Sequence, residues 1–173
     1  MKMTRKLQRE WLKGEQRLVK GLSVGALALA LSFTVMPPVW ASTITASDSF
    51  YQSTIQRKDN VYNISEQKHK GTLGYNQFKD FTISNGDVAN LLLKDDTTKL
   101  LNLVSEKISI DGIVNSYQKN KIGGNVYFIS PKGIAVGAKG VLNVGSLMLG
   151  TNMLNAYLDY SEGKLDGDYT GEA

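Results

Sequence analysis

What most constrains the fold of this chain is the recurrence, from about residue 60 onward, of strand-like runs only a few residues long, each closed by glycine or a polar turn. The runs fall at 61–64 (VYNI), 81–83 (FTI), 100–104 (LLNLV), 108–113 (ISIDGI), 125–129 (NVYFI), 134–136 (IAV), 141–144 (VLNV) and 147–149 (LML). Segments this short exclude a helical bundle. Only 88–93 (VANLLL) is compatible with one or two turns of helix, because no stretch past residue 41 sustains a 3.6-residue apolar period. Two architectures satisfy the pattern: a small antiparallel sandwich, or a parallel β-helix whose coils stack on one another. Asparagine and glycine at the corners favour the second, since those residues adopt the left-handed backbone of a solenoid corner at least cost.

Residues 122–150 carry the pattern most clearly. They contain no acidic residue, and their two lysines, Lys132 and Lys139, sit in turns between apolar strands. Pro131 stands where the chain leaves one strand and bends before Gly133, a position expected to need backbone that a β-branched residue resists. Asn76, Asn85, Asn90, Asn125 and Asn143 are candidates for satisfying polar groups of neighbouring coils, against the plainer reading of ordinary turn asparagines.

The first 41 residues read as a segment of a different kind. Seven Lys/Arg precede an apolar or small run, GLSVGALALALSFTV at 21–35, and two prolines lead to Val39-Trp40-Ala41 with small residues at the −3 and −1 positions. The run is shorter than the roughly 20 apolar residues a membrane span needs. A cleavable signal peptide at 1–41 follows, implying the general secretion machinery and signal peptidase as partners. Removing seven of the 20 basic and two of the 16 acidic residues leaves 13 against 14 at 42–173. A mature charge near minus one gives no reason to expect nucleic acid as a partner. The chain has no cysteine, so an exported product does without disulfides. Residues 158–173, with five acidic residues and one lysine, are expected to form a poorly ordered tail beyond a domain at 42–157.

Catalytic signatures are sparse. His69, the single histidine, lies in the charged stretch EQKHKG at 66–71, expected to be a solvated loop, so a triad or histidine metal site is not expected. The adjacent pair Asp95-Asp96 reads as a polar turn between lysines, not the spaced carboxyl pair of a glycosidase. The glycines of 133–140 lack the spacing of a phosphate-binding loop. The sequence predicts no enzyme, no metal and no cofactor.

Two segments carry a resemblance. At 125–147, NVYFISPKGIAVGAKGVLNVGSL resembles the segment of two-partner-secretion domains in which a strand enters an Asn-Pro-Asn-Gly-Ile turn, a Gly follows, and an apolar strand ends in Val-Gly-Gly-Leu. Pro131, Gly133, Ile134, Gly137, Val144, Gly145 and Leu147 fall on that pattern, with Ser130 and Lys132 in place of its asparagines. At 75–91, YNQFKDFTISNGDVANL is similar to the family's Asn-x-Phe-x-x-Phe followed by a Gly-Asp turn, through Asn76, Phe78, Phe81, Gly86, Asp87 and Asn90; 110–113 (IDGI) resembles a further short motif. The wording is most similar to leukotoxin-type adhesins within the filamentous-haemagglutinin group. Family secretion domains exceed this mature chain, which implies either a truncated gene or a fragment. The resemblance implies a right-handed parallel β-helix with N-terminal capping strands, and a function in secretion and recognition through a dedicated outer-membrane β-barrel transporter with POTRA domains. It implies passage through the periplasm of a bacterium with an outer membrane to the medium or cell surface, with host-cell contact as a further role. The residues implied for recognition or for the fold are Asn76, Phe78, Phe81, Asn90, Asn125, Pro131, Gly133, Ile134, Gly137 and Gly145. The alternative is a carbohydrate-active β-helix of the periplasm or cell surface.

Overall fold

A computed structural model describes residues 41–171 of the chain; the expected leader lies outside them apart from Ala41. These residues form a parallel β-solenoid of about three turns. The expectation of short strands meets the structure at β11 (Asn125–Ile129) and β12 (Ile134–Val136), whose bounds coincide with the sequence runs. The run at 108–113 instead divides into β8 (Ile108–Ile110) and β9 (Ile113–Gln118), because the chain turns a corner at Asp111-Gly112. Residues 88–92, compatible with helix in sequence, form strand β6 (Val88–Leu92). Tertiary pairing overrides the local pattern there, since β6 is held on both sides by parallel neighbours.

Three faces make up each turn. The first stacks the N-terminal half of β5 (Leu73–Ile83), β7 (Lys99–Val104), β11 and β14 (Ser146–Gly150). The second stacks the C-terminal half of β5, then β8 and β12. The third stacks β3 (Val61–Ser65), β6, β9 and β13 (Val141–Asn143). Paired residues such as Leu73 with Lys99, Lys99 with Asn125, and Val88 with Ile113 show a period of 25 to 26 residues, while Ile113 with Val141 is spaced by 28.

Stacking puts like residues over like, and that column order is what builds the core. Inside the coil run Leu100 over Val126 over Leu147, Phe81 over Ile108 over Ile134, and Tyr62 over Ala89 over Val114 over Leu142. Core side chains before the last coil are sealed, Phe78, Phe81, Leu91, Leu100, Ile108, Val114 and Phe128 each having 0% exposure. Burying side chains of this size stabilises by about 1.5–3 kcal/mol each.

The two ends of the solenoid differ. At the start, an antiparallel strand covers each face: β4 (Lys68–Lys70) and β1 (Thr43–Ala46) on the two halves of β5, and β2 (Ile55–Lys58) on β3. Ser42 begins this cap, its carbonyl accepting from the Tyr62 hydroxyl at 3.0 Å and its hydroxyl meeting the Ser84 amide at 2.7 Å. At the other end, β12, β13 and β14 each pair with one strand and, among the described residues, offer a free edge. Several residues at the ends of the columns lie open there, Val136 being 47%, Leu147 40% and Leu149 37% exposed, while Ile134 and Leu142 stay partly buried.

Residues 158–171 correct the expected disordered tail. Helix α1 (Met153–Glu162) crosses the boundary expected at 157, and the segment after it returns over the outer side of β5, β7 and β11. The Asn152 side chain accepts from the Asn155 amide at the start, and Gly163 ends the helix at φ +84°. Tyr160 stacks on Tyr75 at 4.7 Å, and Leu165 and Tyr169 are each 1% exposed. Lys99 Nζ donates to the Leu165 carbonyl and to Asp166, and the Tyr169 phenol, pushed up to about 12 chiefly by burial, donates to Asp159 at 2.7 Å. The acidic composition concealed three apolar anchors, Tyr160, Leu165 and Tyr169, spaced so that the charges between them face water. Among the described residues no helix is long and apolar enough to cross a membrane.

Candidate functional site

The ten residues singled out by sequence do not converge on one surface. Asn76, Phe78 and Phe81 lie on β5 with 0% exposure and point into the coil. Phe81 meets Phe78 at 5.3 Å and Phe128 at 5.0 Å, both edge to face. Asn76 Nδ2 donates to Asn102 Oδ1 at 2.9 Å, and its own oxygen accepts from the Gln67 amide at 3.0 Å. Asn102, also fully buried, passes the chain on by donating to the Tyr127 carbonyl at 3.1 Å. This internal column ends at Phe128, which occupies the same register position in the next coil.

Asn90 belongs to a second column, on the outward side of the third face. Asn90 donates to Asn63, Asn115 to Asn90 and Asn143 to Asn115, each at 2.9 Å. Each side-chain amide spans one coil spacing of about 4.8 Å, so identical asparagines at one register close a continuous ladder. The sequence contained a signal for it: a β-branched residue, any residue, then Asn at 61–63, 88–90, 113–115 and 141–143. Asn63, Asn102 and Asn115 stand out only when the runs are aligned at the coil period.

The remaining residues shape corners. Asn125 opens β11 and accepts from the Ser146 hydroxyl at 2.6 Å. Pro131 and Gly133 form the turn between β11 and β12, where Gly133 has φ +86° and open space around its Cα. Ile134 starts β12 and packs partly against the core. Gly137 and Gly145 mark close approaches, since a Cβ would strike the Asp111 carboxyl at the first and come within 2.6 Å of the Gly124 carbonyl at the second.

The stretch expected to be a solvated loop around His69 is instead strand β4, and the histidine is mostly enclosed, its side chain 16% exposed. Glu66 draws it in. The Glu66 side chain is 1% exposed and lies against Gly74, where even a Cβ would come within 2.7 Å of its Cδ. Its Oε1 accepts from the Lys94 amide at 2.8 Å and the Thr97 hydroxyl at 2.5 Å, and its Oε2 meets His69 Nδ1 at 2.7 Å. His69 Nε2 is buried without a hydrogen-bond partner and lies 3.4 Å from Asp96 Oδ2. Among the described residues, no three or more His, Cys, Asp or Glu side chains gather as a metal cluster.

No family model, curated protein or solved structure matches this chain.

Asn102→Ala should lower stability more than Asn63→Ala. The first removes two hydrogen bonds and strands the buried Asn76 amide, a loss of about 2–4 kcal/mol; the second removes one partly exposed bond, about 1 kcal/mol. Urea midpoints of the two variants measure the difference, and equal midpoints would contradict the internal column. Gly133→Val should cost about 1–3 kcal/mol through its positive φ. Lys132→Ala, which loses only the surface pair with Glu106 at 2.5 Å, should cost about 0.5 kcal/mol or less. Indistinguishable denaturation curves for these two would exclude a strained turn.

Proposed function

We propose that this chain is a secretion and recognition module of the two-partner type. Its leader delivers it to the periplasm, and a dedicated outer-membrane β-barrel transporter with POTRA domains receives it there before it folds. The observation that carries this reading is the asymmetry of the solenoid. One end is closed on all three faces by antiparallel strands, whereas the other leaves three strand edges and an apolar rim open. A chain threaded out of a pore in order can close the first end as soon as it emerges. Each coil then offers a template of backbone groups and apolar columns to the next, so folding outside opposes return. The cap begins at Ser42, directly after the expected cleavage point. Lack of cysteine fits the same route, since no disulfide can close a loop in the periplasm.

Burial of Asn76, Phe78 and Phe81 supports recognition before folding. With 0% exposure they are out of reach of any partner once the first coils have formed. On this reading the transporter binds 75–91 as an extended strand, through backbone pairing and pockets for alternate side chains. A mature charge near zero leaves little for long-range attraction, so added salt should weaken binding only modestly.

The test is a time-resolved capture. Residues 42–173 are diluted from denaturant and mixed, after increasing delays, with the POTRA region of a cognate outer-membrane transporter from the same genome. Capture should be efficient at the shortest delay and fall as the solenoid folds. Absence of capture at every delay would overturn the proposal. So would equal early capture of a chain with Asn76, Phe78 and Phe81 all changed to alanine, a comparison made before either chain has folded and therefore free of the variant's instability.

A further inference from the structure

The arrangement around His69 plays no part in the secretory reading, and its chemistry points elsewhere. We propose that His69 Nε2 and Asp96 Oδ2 are the two protein donors of a site for a divalent transition cation of the zinc class, with Glu66 holding the imidazole in its ligating form.

The orientation of the ring comes first. Glu66 Oε1 is fixed by the Lys94 amide and the Thr97 hydroxyl, so Oε2 is held in place to take the Nδ1 proton at 2.7 Å. In the neutral ring this leaves the lone pair on Nε2. A buried carboxylate on the far nitrogen is the arrangement by which proteins orient a histidine toward a metal and raise its basicity. Here the carboxylate has 1% exposure and sits in space that Gly74 leaves by having no side chain.

The second observation is what Nε2 faces. It is buried, has no hydrogen-bond partner, and its near neighbour is another acceptor, Asp96 Oδ2 at 3.4 Å. With the ring neutral and its proton on Nδ1, two lone pairs confront each other at that distance and repel unless a cation lies between or beside them. The separation suits a metal ion. With zinc–nitrogen and zinc–oxygen bonds of about 2.0–2.2 Å at a tetrahedral angle, two ligands of one ion stand about 3.4 Å apart.

The remaining positions would be taken by water, because the Asp96 side chain is 67% exposed and opens the site to solvent. Two protein donors make this a weaker site than a closed structural one. One imidazole and one carboxylate favour zinc, copper or nickel over magnesium or calcium, which prefer oxygen alone. The ion would join β4, which closes the first coil, to the turn that precedes β7 in the second. In a chain without cysteine it would act as a cross-coil staple at the end that must form first.

Because the chain has one histidine, its imidazole gives a single set of nitrogen resonances. Zinc is titrated into the ¹⁵N-labelled full chain at neutral pH, and the His69 ring nitrogens and the thermal midpoint are followed. Zinc should move the Nε2 resonance, leave Nδ1 protonated and raise the midpoint, while magnesium should do none of these. Asp96→Asn, at an exposed position, should keep the circular dichroism of the parent and bind zinc at least about tenfold more weakly. The proposal is overturned by an Nε2 resonance that zinc leaves unmoved, as when a proton alone fills the gap. Equal zinc stabilisation of the parent and of Asp96→Asn or His69→Ala would also overturn it, since the ion would then sit elsewhere.

Discussion

A parallel coil can satisfy its backbone only through the coils on either side of it, and everything else in this protein follows from that dependence. A helix closes its hydrogen bonds within itself, and a hairpin closes them with its neighbour in sequence. Here β7 looks for its partners to β5 and β11, each 26 residues away in the chain. The same rule governs the buried polar side chains. Asn76 and Asn102 can lie in the core because each finds its partner one coil above or below. Like residues therefore recur at like positions, and the asparagine ladder at 63, 90, 115 and 143 is the outward expression of that rule.

The rule also makes the ends the critical places. β1, β2 and β4 run antiparallel to the coils and so end the repeat on one side, whereas the last coil leaves several column-ending residues, Val136, Leu147 and Leu149, partly in water. Helix α1 does not close this open end. It turns aside and covers the flank of the first face, where Tyr160, Leu165 and Tyr169 bury against Tyr75, Leu101, Leu103 and Ile129. Closure at one end and exposure at the other is the physical basis of the secretory reading proposed above.

How much of this was legible in the sequence depended on the range of the interaction. The glycine-bounded runs at 125–129 and 134–136 gave their strands to the residue, because tight turns are written locally in Pro131 and Gly133. The corner residues favour the solenoid, but they do not carry its period. That period needs residues such as Val61, Val88, Ile113 and Val141 to be aligned across unequal intervals of 25 to 28 positions. Strand β4 and the enclosed His69 were hidden by their lysines, since what buries Glu66 is an amide and a hydroxyl some 30 residues away. Helix α1 carried its own punctuation, Asn152 before it and Gly163 after it, yet its apolar face is short and the acidic composition masked it. Phe78 and Phe81 stand out in the sequence as a spaced aromatic pair, but only the packed coil shows that both lie in the core.

Native-state hydrogen exchange, resolved by residue, tests the stacked-coil account most directly. The account predicts that amides of β5, β6 and β7, paired on both sides, exchange only through the largest openings. Protection should then fall toward β12 and β13, which are held on one side alone. Protection in β12 and β13 equal to that in β7, or rapid exchange in β6 and β7, would contradict it.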